Sequence, residues 1–222
     1  MDKIISCLFY IKTLFLKCIR IFFTYINGGE KCIICGNNCF KYPVCKKCTK
    51  TYFKVDENTF SNRCKKCGRD LISTENLCTS CKEKSIIKSI DRMIPIFSYR
   101  LWYKELLYIW KIQGVRNLSY FFSDIIYKTL KIMNYQIIVP VPPRKGKIKK
   151  NGWDQIDELT NILEKLKGIT RLKLLKRVSQ EEQKKLNREE RLETIKTAYE
   201  IVNEKLFHRE LKKIGGKLPK SV

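Results

Sequence analysis

Apolar residues recur at three- and four-residue steps through the first part of the chain, at Ile4, Leu8, Ile11, Phe15, Cys18, Phe22 and Ile26. This spacing predicts an amphipathic helix within residues 1–29. Lys12, Lys17 and Arg20 lie off the apolar stripe, and they interrupt every run that would be long enough to span a bilayer. We expect the stripe to pack against the rest of the protein or to lie on a membrane surface.

Strand-like and helix-like patterns alternate through residues 85–222. In chain order they are a short strand at residues 93–97, a helix marked by Trp102, Leu106, Ile109 and Trp110, a helix marked by Leu118, Phe121, Phe122, Ile125, Ile126 and Met133, a buried strand at residues 136–141, and a helix capped by Asn151 and marked by Trp153, Ile156, Leu159, Leu163 and Leu166. Strands that alternate with helices predict an α/β domain with a largely parallel sheet. A basic loop at residues 144–150 leads into the last of these helices, which is where such sheets bind anions and phosphates.

Between these two regions, residues 30–84 contain four Cys-x-x-Cys pairs. They are Cys32 with Cys35, Cys45 with Cys48, Cys64 with Cys67, and Cys78 with Cys81. Two such pairs can close a four-sulfur zinc site, so four pairs predict two structural Zn²⁺ ions and a double zinc ribbon. A four-sulfur site has no open position, and it usually stabilises a small fold without taking part in chemistry.

Spacing alone does not decide which pairs share a metal, because the two middle pairs also lie within a common ribbon interval. An internal repeat favours sequential pairing: Cys32-Ile33-Ile34-Cys35-Gly36 returns as Cys64-Lys65-Lys66-Cys67-Gly68. The glycine suits a tight turn behind the second sulfur, where a positive φ is easiest without a Cβ. We therefore predict two ligand groups, which are Cys32, Cys35, Cys45 and Cys48, then Cys64, Cys67, Cys78 and Cys81.

Four disulfides in a secreted scaffold are the alternative for these cysteines. No small-residue cleavage site follows the N-terminal apolar segment, which favours reduced thiols and a cytoplasmic location. Cys39 lies off the pair pattern and is expected to be a spare thiol. His208 is the one histidine of the chain, and we assign it no role because it lies in a polar tail.

The chain of 222 residues is strongly basic, with 46 Lys and Arg against 22 Asp and Glu and a formal charge of +24. Eight thiolates on two Zn²⁺ ions would lower this charge to about +20. A positive charge of this size attracts nucleic acid, phosphorylated ligands or anionic lipid. An AT-rich coding sequence would also enrich the chain in lysine, so charge alone does not select a partner.

The order of these parts resembles the ComF-like family, the competence-associated proteins with an N-terminal double zinc ribbon and a C-terminal phosphoribosyltransferase-like domain. The resemblance runs from about Cys32 to about Ile201, and it rests on the cysteine pairs, on Ile138-Val139-Pro140-Val141-Pro142, on Asn151-Gly152-Trp153-Asp154-Gln155, and on Leu175-Lys176-Arg177 followed by Gln183, Leu186 and Arg191. It implies an incomplete type I phosphoribosyltransferase-like parallel sheet, preceded by the double zinc ribbon and the N-terminal helix. The implied biological role is in competence and DNA uptake.

The resemblance also implies a site for 5-phosphoribosyl-1-pyrophosphate and its Mg²⁺ ion. The residues implied for pyrophosphate and phosphate binding are Val141, Pro142, Arg144, Lys149, Lys150, Gly152 and Gln155. Catalytic members of the family carry two adjacent acidic residues and a Thr/Gly-rich loop that wraps the 5′-phosphate with backbone N–H groups. This chain contains no Asp-Asp pair and no such loop, so no residue is assigned to catalysis.

The alternative hypothesis is a non-enzymatic adaptor that binds nucleic acid or protein through its zinc ribbons. Its candidate nucleic-acid contacts are Lys46, Lys47, Lys65, Lys66 and Arg69, with Tyr42, Tyr52 and Phe53 nearby for stacking on bases. Its expected partners are single-stranded DNA or DNA-uptake proteins. Both hypotheses keep the two zinc ions, and the sequence specifies neither a nucleobase nor an oligomeric state.

Overall fold

A computed structural model of the chain describes residues 11, 15, 18–19, 21–22, 25–26, 29–72, 74–83, 90–144, 146–148, 152–179 and 187–217. Much of the predicted N-terminal helix lies outside these residues, and each described residue between 11 and 26 is helical. Within the described ranges, no helix combines the length and the apolar character that crossing a membrane requires.

The described helices and strands give a mixed α/β fold that is mostly helical. In chain order they are β1 (Glu30–Lys31), β2 (Asn38–Cys39), α1 (Lys46–Tyr52), a 3₁₀ helix (Glu57–Phe60), α2 (Thr79–Glu83), α3 (Leu101–Lys111), α4 (Asn117–Ile132), β3 (Ile137–Ile138), α5 (Gln155–Lys167), β4 (Thr170–Arg171), β5 (Leu175–Arg177), α6 (Arg188–Thr197), β6 (Tyr199–Ile201), α7 (Glu204–Leu211) and a 3₁₀ helix (Lys212–Ile214).

One small motif occurs twice within residues 30–83. In the first copy, β1 pairs antiparallel with β2, and α1 follows. In the second copy, a single antiparallel bridge joins Arg63 to Asp70, and α2 follows. We call the first copy, residues 30–53, ribbon 1 and the second copy, residues 63–83, ribbon 2.

Helices α3, α4 and α5 form the body of the protein because each carries one apolar face. The buried side chains of this layer include Leu106 and Trp110 of α3, Leu118, Phe121 and Ile125 of α4, and Leu159 and Leu163 of α5. Burial of an apolar side chain of this size contributes about 1.5–3 kcal/mol. Trp110 donates from Nε1 to Ser119 Oγ at 2.9 Å, so its one polar atom is satisfied inside the core.

Strand β3 pairs in parallel with β4, and α5 connects the two strands. This βαβ unit is the arrangement that the alternating pattern predicts. The sheet is nevertheless smaller than predicted, because β3 is two residues long and the described strands β5 and β6 form a separate antiparallel pair. The prolines after β3 explain its length, since Pro140, Pro142 and Pro143 have no N–H to donate to a ladder.

The predicted strand at residues 93–97 is wrong. We call residues 90–95 the strap. No strand forms there, and the strap contacts ribbon 2 instead of a sheet. Met93 donates its backbone N–H to Lys66 O at 2.7 Å, and Pro95 packs directly on Gly68. The N–H of Met93 is already bonded to the ribbon, and Pro95 has no N–H. The segment therefore lacks the donors that pairing with a neighbouring strand requires.

Helix α5 begins later than predicted. Asp154 is its N-cap, and the Oδ1 atom of Asp154 accepts the backbone N–H groups of Ile156 and Asp157, each at 3.0 Å. Trp153 therefore precedes the helix instead of lying along its face. The predicted cap, Asn151, lies outside the described residues.

Two buried charged residues, one on β4 and one on α7, form ion pairs that hold the C-terminal part of the described chain together. Arg171 on β4 is buried and pairs with Asp157 at 3.2 Å and with Glu164 at 3.1 Å. Glu210 on α7 is also buried, and it accepts from Lys173 N at 2.9 Å and from Lys213 Nζ at 2.8 Å. Gln183 and Leu186, which carry part of the family resemblance, lie outside the described residues.

Candidate metal centres

The four cysteines of ribbon 1 converge on one point. The Sγ atoms of Cys32, Cys35, Cys45 and Cys48 all lie within 4.8 Å of one another. Cys35 Sγ and Cys45 Sγ are 3.7 Å apart, and a tetrahedron with Zn–S bonds of about 2.3 Å has edges of about 3.8 Å. The spacing and the chemistry of these four donors therefore fit one Zn²⁺ ion.

Ribbon 2 gathers its four cysteines in the same way. The Sγ atoms of Cys64, Cys67, Cys78 and Cys81 also lie within 4.8 Å of one another, and Cys67 and Cys78 are again 3.7 Å apart. The chain can thus hold two zinc ions, one in each group. This grouping is the sequential one that the internal repeat favours, because the middle pairs belong to different groups.

Backbone hydrogen bonds shape both sites identically. Gly36 N donates to Cys32 O and Gly68 N donates to Cys64 O, each at 2.8 Å, which closes the turn behind the second sulfur. Gly36 has φ +72° and Gly68 has φ +69°, so both glycines occupy the left-handed conformation that the sequence predicts for them. The third cysteine of each group then donates its N–H to the first sulfur, at 3.3 Å from Cys45 to Cys32 and 3.4 Å from Cys78 to Cys64.

These N–H groups lower the pKa of the first thiol in each group. Burial alone would raise the pKa of Cys32 and Cys64, but the backbone N–H groups that point at their sulfurs outweigh it. The pKa falls to about 7 for Cys32 and to about 6 for Cys64. Burial and the neighbouring sulfurs raise the pKa of Cys81 to about 12. Because the thiolate is the zinc ligand, a lowered pKa prepares Cys32 and Cys64 to bind metal.

Cys39 is chemically different from the eight grouped cysteines. Its thiol is buried and donates to Glu30 O at 3.1 Å. Burial, followed by the charges of Cys32 and Glu30, raises the pKa of Cys39 to about 11. A thiol that keeps its proton is a poor metal ligand. All cysteines in the described part of the chain are free thiols rather than disulfides.

Ribbon 1 is part of the main core. Phe53, which is 2% exposed, packs edge-on against Phe97, Tyr103 and Phe121, with ring centroids 5.1–5.6 Å away. Tyr42 also meets the ring of Phe121, at 5.9 Å. The sequence placed Phe53 and Tyr42 as stacking platforms for bases. The structure corrects this placement for Phe53, whose ring is buried, and it leaves Tyr42 partly buried.

Asp124 on α4 connects ribbon 1 with α5. It accepts a hydrogen bond from Tyr42 Oη and pairs with Lys167 Nζ at 2.6 Å. Burial would raise the pKa of Asp124, but the contacts of Lys167 and Tyr42 outweigh it and hold that pKa below its ordinary value. Nothing in the sequence pattern marks Asp124, because its two main partners are distant in the chain.

The loop implied to bind pyrophosphate has internal partners. Lys147 Nζ pairs with Asp154 Oδ2 at 2.6 Å and donates to Gln155 Oε1 at 2.8 Å, while Gln155 Nε2 donates to Lys111 O at 3.1 Å. The carboxylate of Asp154 already receives two N–H groups of the first turn of α5, which are the donors a phosphate would use. The acidic residues of that turn, Asp157 and Glu158, are the sequence signal that would have located this cap.

The other residues of this implied site are spread along the loop. Val141 is 53% exposed, Gly152 is exposed, and Pro142 and Arg144 are partly buried. Lys149 and Lys150 lie outside the described residues. Gln155 is held by side-chain hydrogen bonds that an anion would have to compete with.

The candidate nucleic-acid contacts lie on the outside of the ribbons. Lys46, Lys47, Lys65 and Arg69 are exposed, and Lys66 is partly buried. Lys66 Nζ donates to Ile90 O in the strap at 2.6 Å, so it contributes to the structure of ribbon 2. Tyr52, at 40% exposed, keeps an accessible ring.

Comparison of the chain with protein-family models, with curated proteins and with solved structures finds no match. What the residues and their geometry establish is therefore a mixed α/β protein with two four-cysteine groups, each able to hold a zinc ion.

Proposed function

We propose that this protein is a ComF-like adaptor of DNA uptake, in which two zinc-stabilised ribbons present a basic surface to single-stranded nucleic acid. In this proposal residues 1–29 form the amphipathic helix, residues 30–84 the double zinc ribbon, and residues 85–222 an incomplete phosphoribosyltransferase-like domain. The zinc ions are structural because each donor group is complete with four sulfurs and leaves no open position.

One contrast supports an adaptor over an enzyme. The cations of the ribbons at Lys46, Lys47 and Lys65 are exposed, whereas the first-turn N–H groups of α5 are satisfied by Asp154. Phosphates of a nucleic acid meet accessible charge at the ribbons. At the implied pyrophosphate loop, a phosphate would have to displace a carboxylate that is itself paired with Lys147.

The test is fluorescence anisotropy of a labelled single-stranded oligonucleotide titrated with zinc-loaded protein. We expect binding at about 50 mM salt that weakens steeply as salt rises, because each phosphate contact releases counterions. The double variant Lys46→Ala/Lys47→Ala should weaken binding and flatten the salt slope. Its matched control is Lys104→Ala/Lys128→Ala, which removes two exposed charges from α3 and α4. Absence of binding at low salt, or equal losses in the two double variants, would contradict the proposal.

A second candidate function is binding of phosphoribosyl pyrophosphate with Mg²⁺. The observation that favours it is topological: residues 139–144 leave the carboxyl end of β3, which is parallel to β4, and lead towards α5. Ligands of open α/β sheets bind at this position. Calorimetric titration of the zinc-loaded protein with phosphoribosyl pyrophosphate and Mg²⁺ tests it, and a flat titration at millimolar ligand would exclude it.

A further inference from the structure

A cavity lies between ribbon 2 and the strap. Its volume is about 340 Å³, which is within the range of pockets that hold small ligands. Residues 60–65 and 74–76 form one side of it, and residues 91–95 of the strap form the other. None of the hypotheses drawn from the sequence assigns a role to this space.

Backbone hydrogen bonds hold the cavity open in a defined shape. Leu71 N donates to Asn62 O and Lys65 N donates to Asn76 O, each at 2.8 Å, which fixes the two ribbon segments against each other. The bond from Met93 to Lys66 fixes the strap. The side chain of Arg63 also bonds to the strap, at Pro95 O, whereas the side chains of Asn62, Thr74 and Asn76 are available to a ligand.

The lining combines neutral hydrogen-bonding groups with apolar surface. Asn62, Thr74 and Asn76 offer amide and hydroxyl groups, and all three are exposed to solvent. Phe60 and Leu71 contribute the apolar part. A planar heterocycle with hydrogen-bonding edges matches both parts, because its faces pack on apolar groups while its edges pair with amides.

Some charged side chains around the cavity form ion pairs within the protein, and others form none. Arg63 bonds to Asp70 at 3.0 Å and to Pro95 O, and Glu75 pairs with Lys82 at 3.0 Å. Lys65, Arg92 and Asp91 line the cavity and take part in no ion pair with any described residue, so two cations and one carboxylate are available there. Two available cations beside a hydrogen-bonding cavity suit a ligand that joins an anion to a heterocycle.

We infer that this cavity binds one nucleotide of a single-stranded nucleic acid, with the base between the ribbon and the strap and the flanking phosphates on Lys65 and Arg92. The inference rests on the proposed function and gives it a location. It assigns Asn62 and Asn76 to the base edge and Phe60 to a base face. The remaining cations of the ribbons add to the salt-dependent attraction.

The experiment uses full-length zinc-loaded protein, a labelled single-stranded DNA oligonucleotide and two variants of the cavity. Thr74→Trp fills the space, and Arg92→Ala removes an available cation. We expect Thr74→Trp to weaken binding about tenfold, the scale of one lost base stack, and Arg92→Ala to weaken it about threefold. Lys205→Ala on α7 is the matched control for charge, and it should change affinity by less than about twofold.

The zinc content of each variant is measured beside its titration, which separates loss of binding from loss of fold. If Thr74→Trp releases metal, Arg92→Ala alone tests the cavity. Wild-type affinity in zinc-loaded Arg92→Ala and Thr74→Trp would overturn the cavity inference and leave the proposed function standing. If wild-type protein binds no oligonucleotide at low salt, both fail. An excess of mononucleotide that competes with the oligonucleotide on wild-type protein, and no longer on Thr74→Trp, would support the cavity directly.

Discussion

Ribbon 1 and ribbon 2 share one backbone design and differ in how each meets the rest of the protein. The pairing of Lys31 with Asn38 in ribbon 1 corresponds to the bridge of Arg63 with Asp70 in ribbon 2. The bond from Ile33 N to Pro43 O, at 3.0 Å, likewise has its counterpart from Lys65 N to Asn76 O. Four sulfurs and a few backbone bonds are thus enough to specify the motif twice.

The difference arises at positions that contact no metal. Tyr42 in ribbon 1 corresponds to Glu75 in ribbon 2, since each lies three residues before the third cysteine of its group. Tyr42 reaches Asp124 on α4, whereas Glu75 pairs with Lys82 inside its own ribbon. Ribbon 1 therefore belongs to the core of the protein, and ribbon 2 is attached through the strap. The zinc site sets the local fold, and the side chains around it set its connection to the body.

Removing one zinc ligand, from ribbon 1 in one variant and from ribbon 2 in another, should show the largest difference between the ribbon in the core and the ribbon attached through the strap. We expect Cys45→Ala and Cys78→Ala each to lower the zinc content from about two to about one per chain. A structural zinc site contributes about 10 kcal/mol or more of binding free energy to folding. Cys45 is part of the core cluster, so Cys45→Ala should also abolish the cooperative thermal transition of the helices, and Cys78→Ala should leave most of it.

Metal analysis and circular dichroism at 222 nm during heating measure both quantities on the same samples. Loss of the helical transition in both variants would mean that the two ribbons are equally part of the core, and the comparison would fail.

Truncating the aromatic residue that anchors ribbon 1 should have the next largest effect. Phe53→Ala removes a ring that is 2% exposed and leaves a cavity among three other rings, so we expect a loss of about 3–5 kcal/mol in unfolding free energy. The control is Tyr52→Ala at the neighbouring position, where the side chain is 40% exposed. Chemical denaturation measures both, and similar losses would show that burial at Phe53 does not anchor the ribbon.

The link between ribbon 1 and α4 should depend on pH through Asp124. Its pKa in the folded protein is held below the ordinary value, so its contribution is present above the unfolded pKa of about 3.9 and is lost as pH falls through the folded pKa. Asp124→Asn should cost about 1.5 kcal/mol at pH 7. The difference between the two proteins should shrink below about pH 4. Denaturation of both at each pH measures it, and a difference that stays constant would contradict the ionic origin.

The two glycines behind the second sulfurs allow the finest comparison. Both have a positive φ, so Gly36→Ala and Gly68→Ala each cost about 1 kcal/mol in backbone strain. A Cβ on Gly36 meets nothing within 4 Å, whereas one on Gly68 would overlap Pro95 Cδ. Limited proteolysis should therefore cut the strap of Gly68→Ala faster than that of Gly36→Ala. Equal cutting rates would mean that Pro95 moves without releasing the strap.

The parts of the molecule that the sequence predicts well are those fixed by local rules. The two cysteine groups follow from the repeat of Cys-x-x-Cys-Gly, and α3 and α4 follow from the spacing of residues such as Leu106, Trp110 and Phe121. In each case the sequence pattern spans only a few residues, and the structure that it predicts is a single turn or the apolar face of one helix.

The parts that the sequence does not predict depend on contacts between distant residues. The strap is irregular because Met93 and Pro95 contact Lys66 and Gly68, and a strand-like pattern contains no information on that partner. The internal partners of the implied phosphate loop likewise depend on Gln155 meeting Lys111 across the fold. Tertiary contacts override local propensity at such sites.

The unequal attachment of the two ribbons also sets how freely each copy of this duplicated motif can diverge. A substitution at Glu75 changes one exposed pair within ribbon 2, whereas a substitution at Tyr42 changes the environment of Asp124 and, through it, of Lys167. We therefore expect substitutions to lower the stability of the body at more positions of ribbon 1 than of ribbon 2. New contacts on the surface of ribbon 2 would disturb fewer internal partners.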